Sequence, residues 1–216
     1  MGPILTDISE ALDKHSGWIA WNLFLAFIPL ALSFWLFRYR NVRERSWLWW
    51  LGSLIFIAFL PNAPYLLTDV IHLIKAIQDG YSVWIVTIIL IPLHLFAILS
   101  GFEAYVISLI NLGSYLKRQG ASKLHILYAE LSIHAICTMG VYMGRFMRFN
   151  SWDLVTKPKT LLIESFNSLT SKLPLLIMAI AFVLISVFYW IMKQVTLGIS
   201  LRIRQLRQGQ DEVDSI

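Results

Sequence analysis

Long apolar runs alternate with short polar stretches along the chain, and the runs have the length a membrane requires. Five windows stand out, residues 17–37, 47–68, 82–112, 123–144 and 173–192. A hydrocarbon core of about 30 Å is crossed by about 20 residues of helix, so each window predicts a transmembrane helix. The first holds only Asn22 and Ser33 as strongly polar members, and the second is broken by Pro61-Asn62-Ala63-Pro64. The third carries Glu103 and is long enough to tilt. The fourth contains Glu130 and His134, and the fifth is the cleanest. The expected fold is all-α: a polytopic membrane helix bundle of about five transmembrane helices, forming one membrane domain over residues 1–216 and ending in a basic cytoplasmic tail, 193–216. The tail is polar from Gln208 onward and is expected to fray.

Between the second and third windows the period changes. Tyr65, Thr68, Asp69, His72 and Lys75 fall on one side of a helix, while Leu66, Leu67, Val70, Ile71, Leu73, Ile74 and Ile77 take the other. This predicts a short interfacial helix over Tyr65 to Gln78, lying on the outer membrane surface or folded back into the bundle. Pro61 and Pro64 free backbone carbonyls at membrane depth, which is tolerated only beside protein or a wet cavity, so a polar crevice is expected near Asn62. A further amphipathic piece is expected from Leu161 to Leu173.

Composition removes the soluble alternative. The chain is 57% hydrophobic and only 14% charged, against about a quarter charged in soluble domains, so its main partner is the lipid bilayer. The net charge of +5 does not form a nucleic-acid surface, because the basic residues sit between apolar spans and act as topology signals. Arg38, Arg40, Arg43, Arg45, Lys117, Arg118, Lys123, Lys193, Arg202, Arg204 and Arg207 fall on one side if the amino terminus is outside. This favours N-out, C-in, although the stretch 145–172 then leaves five basic residues outside. Asp7, Glu10 and Asp13 ahead of the first run argue against a cleavable signal peptide. Trp18, Trp21, Trp47, Trp49, Trp50, Trp84 and Trp190 cluster at span ends as interfacial anchors. Cys137, the single cysteine, reads as a core thiol.

Two polar groups carry the candidate chemistry. The first lies at the outer face: Asn62, Tyr65, Asp69, His72, Arg145, Arg148, Asn150 and Asp153. Arg145 and Arg148 are one helical turn apart and offer forked donors to a carboxylate or phosphate. Either they pair with Asp69 or Asp153 and staple the outer loops, or they bind an anionic headgroup or substrate while Asp69, Asp153 or His72 handles a proton. The second group is intramembrane: His94, Glu103, Glu130 and His134. Ionisable groups at that depth cost about 3 kcal/mol and face the bundle interior. Glu130 and His134 share a helix face, His94 is expected at the depth of His134, and Glu103 beside Glu130 could share a proton with it. Quiet hydrogen-bonded pairing is the alternative.

His94, Glu130 and His134 have acceptable metal-ligand types, and two-histidine haem binding is conceivable. No close-spaced histidine pair on one helix supports either, so no metal or other cofactor is expected. Phosphate-binding glycine loops, G-x-S-x-G elbows and H-E-x-x-H helices are missing, which leaves nucleotide hydrolysis, elbow-type esterase and zincin chemistry without support. There is also no arginine-rich voltage helix and no repeated half.

The blocks WNLFLA (21–26), FLPNAPYLLTD (59–69) and GRFMRFNSWD (144–153) resemble the signature blocks of a bacterial family of integral membrane proteins of unknown function. The resemblance covers most of the chain. It implies a multi-pass protein of the bacterial cytoplasmic membrane and assigns no catalytic residue. Three functions follow from the residues: binding of an anionic lipid headgroup or a membrane-protein partner through the outer polar cluster; an embedded enzyme using Asp69, His72, Asp153, Arg145 and Arg148 on a lipid-linked substrate; or a proton-coupled carrier using Glu103, Glu130 and His134.

Overall fold

A computed structural model describes residues 2–38 and 46–214, and among these it is helical without strands. Arg40, Arg43 and Arg45, part of the expected basic loop, lie outside the described residues. The helices are α1 (Gly2–Ser33), α2 (Trp47–Phe59), α3 (Asn62–Tyr65), α4 (Val70–Gln78), α5 (Val83–Ile85), α6 (Ile91–Arg118), α7 (Lys123–Met147), α8 (Asp153–Thr156), α9 (Pro158–Thr170) and α10 (Lys172–Asp214). A π-turn, Phe34–Arg38, extends α1; a 3₁₀ turn, Leu66–Asp69, joins α3 to α4; and a second π-turn, Val86–Leu90, leads into α6. That second π-turn lies just before Pro92, whose ring and missing N–H disfavour a regular α-turn.

Five helical runs are long and apolar enough to cross a membrane: Ser9–Arg38, Trp47–Gln78, Val83–Arg118, Lys123–Met147 and Lys172–Gln208. The five expected spans are these runs, each extended. The third, 36 residues long, exceeds what one perpendicular crossing needs. The backbone is helical to Asp214, so the polar tail from Gln208, expected to fray, continues α10.

Small residues set the closest approaches. A Cβ on Gly140 would lie 2.7 Å from the Pro61 ring, and one on Gly101 would lie 2.0 Å from Leu66. The proline break of the second run is therefore seated directly on α7, and the following turn on α6. Gly120, at φ 87°, turns the chain between α6 and α7. The core between these contacts is Leu36, Phe56, Leu60, Leu66, Phe102, Tyr105 and Leu109.

The second run lies antiparallel to α1 along its whole length. Trp49 donates to the Leu36 carbonyl at one end (3.3 Å), and Lys14 pairs with Asp79 at the other (2.9 Å). The amphipathic segment is thus folded back into the bundle, with its polar side inward. Asp69 is 2% exposed, while Val70, Ile71, Ile74 and Ile77 are exposed. Thr68, Asp69 and His72 find partners among the helices, Lys75 at the far end is exposed, and Val70, Ile71, Ile74 and Ile77 meet lipid while Leu66 packs into the core. α9 follows the same rule: Ser165 and Ser168 are buried, and Leu162, Ile163, Phe166 and Leu169 face out. It ends before the expected Leu173, because Ser171 is extended and α10 starts at Lys172.

Candidate functional site

Arg145, in the last turn of α7, is the hub of the polar group at the amino-terminal end of the bundle. Its guanidinium donates to Asp69 (2.6 Å), to the Thr68 hydroxyl (2.9 Å from Nε) and to His72 Nε2 (3.2 Å), and lies 4.4 Å from the Tyr65 ring centre. The Thr68 hydroxyl gives its proton to the Tyr65 carbonyl (2.6 Å), which turns its lone pairs toward Arg145. Arginine is only a donor, so His72 Nε2 must accept. The second oxygen of Asp69 accepts from Asn22 of α1 (3.2 Å). One ion pair therefore ties three helical runs together. Asn22, the only amide in its span, was not among the expected site residues; an isolated amide in an apolar run was the available signal.

Arg148 is not part of this network. It closes α7 at φ 59°, in the left-handed region, with its backbone N–H donating to the Met143 carbonyl, and its side chain has no hydrogen-bond or ion-pair partner among the described residues. The expectation that Arg145 and Arg148 would face together fails because the helix ends between them and the left-handed cap turns Arg148 away. Asp153 pairs with neither arginine. It accepts from the Asn150 backbone N–H (2.8 Å) and from Thr156 (3.1 Å), closing the turn that leads into α8.

The Asn150 backbone N–H holds the Asp153 carboxyl below the usual carboxylate range. A depressed folded-state value means that this turn stabilises the protein at neutral pH and loses its contribution as pH falls through that value. Asp153→Asn should therefore lower Tm at neutral pH and flatten the acid limb of a thermal-unfolding series against pH, the two proteins converging at low pH.

Asn62, Tyr65, Arg148, Asn150 and Ser151 surround a crevice of about 420 Å³ whose deeper walls are Leu25, Ile57, Ile136, Met139 and Gly140. Asn62 bridges the proline break to the loop after α7, donating to the Phe59 carbonyl (2.8 Å) and to Ser151 (2.9 Å). Trp21, Ile57 and Ile136 both line the crevice and are exposed, so it opens onto the lipid-facing surface.

The expected intramembrane group divides. Glu130 accepts from Lys193 (2.5 Å) and Tyr189 (2.8 Å) of α10. His134, one turn on, meets the Tyr105 hydroxyl (2.5 Å) and packs 4.7 Å from the Tyr189 ring. Glu103 accepts instead from Thr196 (2.7 Å), so the two carboxylates each have their own partner and do not form a proton-sharing pair. His94 is elsewhere again. It lies eleven residues, or about 16 Å, along α6 from Tyr105, and packs against Trp18 and His15 (both 5.7 Å between ring centres). α6 is entered through the long run from Val83, which leaves His94 near the amino-terminal end and away from His134. No group of three or more metal-ligating side chains occurs among the described residues.

An all-helical bundle with five membrane-length apolar helices, apolar faces outward and charged side chains paired within, is a multi-pass membrane protein. Residues 21–187 match the family described as protein of unknown function DUF1361, and the chain belongs to that family. No curated protein and no solved structure matches it.

Proposed function

We propose that the protein binds an anionic lipid or lipid-linked molecule in the crevice between α1, the proline break, α7 and α9, with Arg148 receiving the headgroup. One observation carries this reading: an unpartnered arginine at the polar rim of a cavity whose depth is apolar and whose side is open to lipid. An acyl chain suits the Ile136 and Met139 walls, and a phosphate suits a forked donor. Arg145 is committed to Asp69 and serves as structure, so the charge available to a ligand is that of Arg148. The volume falls within the range of small-molecule sites.

The backbone at Arg148 makes the test clean. A left-handed conformation costs a residue with a side chain about 1–2 kcal/mol, and glycine adopts it freely. Arg148→Gly should therefore leave thermal stability unchanged or higher. It should also reduce retention of phosphatidylglycerol, measured by native mass spectrometry from mixed phosphatidylglycerol and phosphatidylcholine, by about tenfold, since a charge-assisted hydrogen bond is worth about 1.5–3 kcal/mol. Arg148→Lys keeps the charge without the fork and should fall between. Equal retention by the glycine variant and the wild type overturns the reading.

A further inference from the structure

We infer that the chain holds a second anionic lipid, in the opposite leaflet, in the cleft between α7 and α10 whose mouth is marked by Lys123. This site is independent of the Arg148 crevice. The cleft has a volume of about 500 Å³ and is lined by Lys123 and Lys193 toward one end, by Leu127 and Trp190 along its flank, and by His134 and Ser186 more deeply. Leu127 and Trp190 are exposed, so this cleft also opens sideways to lipid.

Distance sets the leaflet. α7 is 25 residues long, with Lys123 as its first residue and Arg148 directly after its last. At 1.5 Å per residue the two are separated by about 37 Å. That exceeds the hydrocarbon thickness of about 30 Å and falls just short of the full bilayer at about 40–45 Å, so both residues stand at headgroup level on opposite sides. The two cavities occupy different faces of α7: one is lined by Glu130 and His134, the other by Ile136, Gly140 and Met143.

Charge sets the ligand. Lys193 is neutralised by Glu130, which leaves Lys123 as the uncompensated charge of the cleft. Nothing in the local structure favours a cation there: Lys123 opens a helix whose first turn has no acid, where the macrodipole opposes positive charge. It is exposed, and its side chain has no hydrogen-bond or ion-pair partner among the described residues. The Ser186 hydroxyl, deeper in the cleft at the depth of His134, is buried and unpartnered, and lies at acyl-chain level, about 16 Å or more along the helices from Lys123. A basic pocket between membrane helices with an apolar flank is the arrangement that holds anionic headgroups.

The test compares full-length wild type, Lys123→Gln and Lys117→Gln by native mass spectrometry after equilibration with phosphatidylglycerol–phosphatidylcholine vesicles. Lys117 is exposed in the last turn of α6 and does not line the cleft, so it controls for one lost charge on the same side. Lys123→Gln should retain one anionic lipid fewer than both other proteins, with unchanged thermal stability, and added inorganic phosphate should not displace the lipid. Equal lipid counts in all three proteins overturn the site. Displacement by inorganic phosphate overturns the lipid as its ligand and assigns the cleft to a soluble phosphate. Arg148→Gly reports only on the first crevice, so either site can fail without the other.

Discussion

Replacing Arg145 with methionine should destabilise the protein by about 3–5 kcal/mol, seen as loss of monodisperse protein in detergent and a large fall in Tm. Asp69 has a side chain 3% exposed and Arg145 one 14% exposed, so water cannot replace the lost partner. Breaking a buried pair strands a charge, and that penalty dominates the effect. Asn22 would remain on one Asp69 oxygen, which is not enough to neutralise a carboxylate. Asp69→Asn alone should cost less than Arg145→Met, because Arg145 keeps Thr68, His72 and the Tyr65 ring. The double variant should recover part of the loss, giving a coupling energy of about 1–3 kcal/mol between neighbours. Unchanged stability in Arg145→Met would mean that the pair does not hold the helices together.

Gly140→Val should be the next most damaging change. Its Cβ would meet the Pro61 ring at 2.7 and 2.8 Å, and a ring fused to the backbone cannot rotate aside. α7 and the proline break must separate, at a cost of about 1–3 kcal/mol for an overpacked contact. Gly140 also lines the Arg148 crevice, so lipid retention should fall together with stability. Gly198→Ala is the control: nothing lies within 4 Å of its added Cβ, and in a helix alanine is favoured over glycine by about 1 kcal/mol. Thermal unfolding of both variants in the same detergent separates the clash from a general intolerance of glycine replacement.

Much of the architecture is visible in the residue pattern because lipid imposes a simple rule. Charge-free windows of about 20 residues mark the spans, and charge within a span must turn inward. The period of Tyr65, Thr68, Asp69 and His72 shows which side of that helix is polar, and the sequence offers Asp69 or Asp153 as acceptor for Arg145 or Arg148 without choosing between them; the structure pairs Asp69 with Arg145. The direction in which that polar side faces is a tertiary fact, decided by Asn22 and Arg145 waiting in the bundle. Helix spacing also misleads where a helix stops. Arg145 and Arg148 stand one turn apart in sequence, yet the left-handed cap between Met147 and Phe149 sends them to different surroundings. Depth fails for the same kind of reason. His94 and His134 can be matched only if every helix crosses the bilayer from the same starting level, and α6 is entered from a run beginning eleven residues before His94. Lys193 and Tyr189, which hold Glu130, lie near the end of a clean apolar window and carry no motif that marks them.

A structure of the protein in lipid nanodiscs containing phosphatidylglycerol is the most direct measurement of the central claim. The account predicts acyl-chain density along Ile136 and Met139, ending in a phosphate within about 4 Å of the Arg148 guanidinium, the distance of an ion pair. An empty or water-filled crevice, with Arg148 turned into bulk solvent, contradicts it.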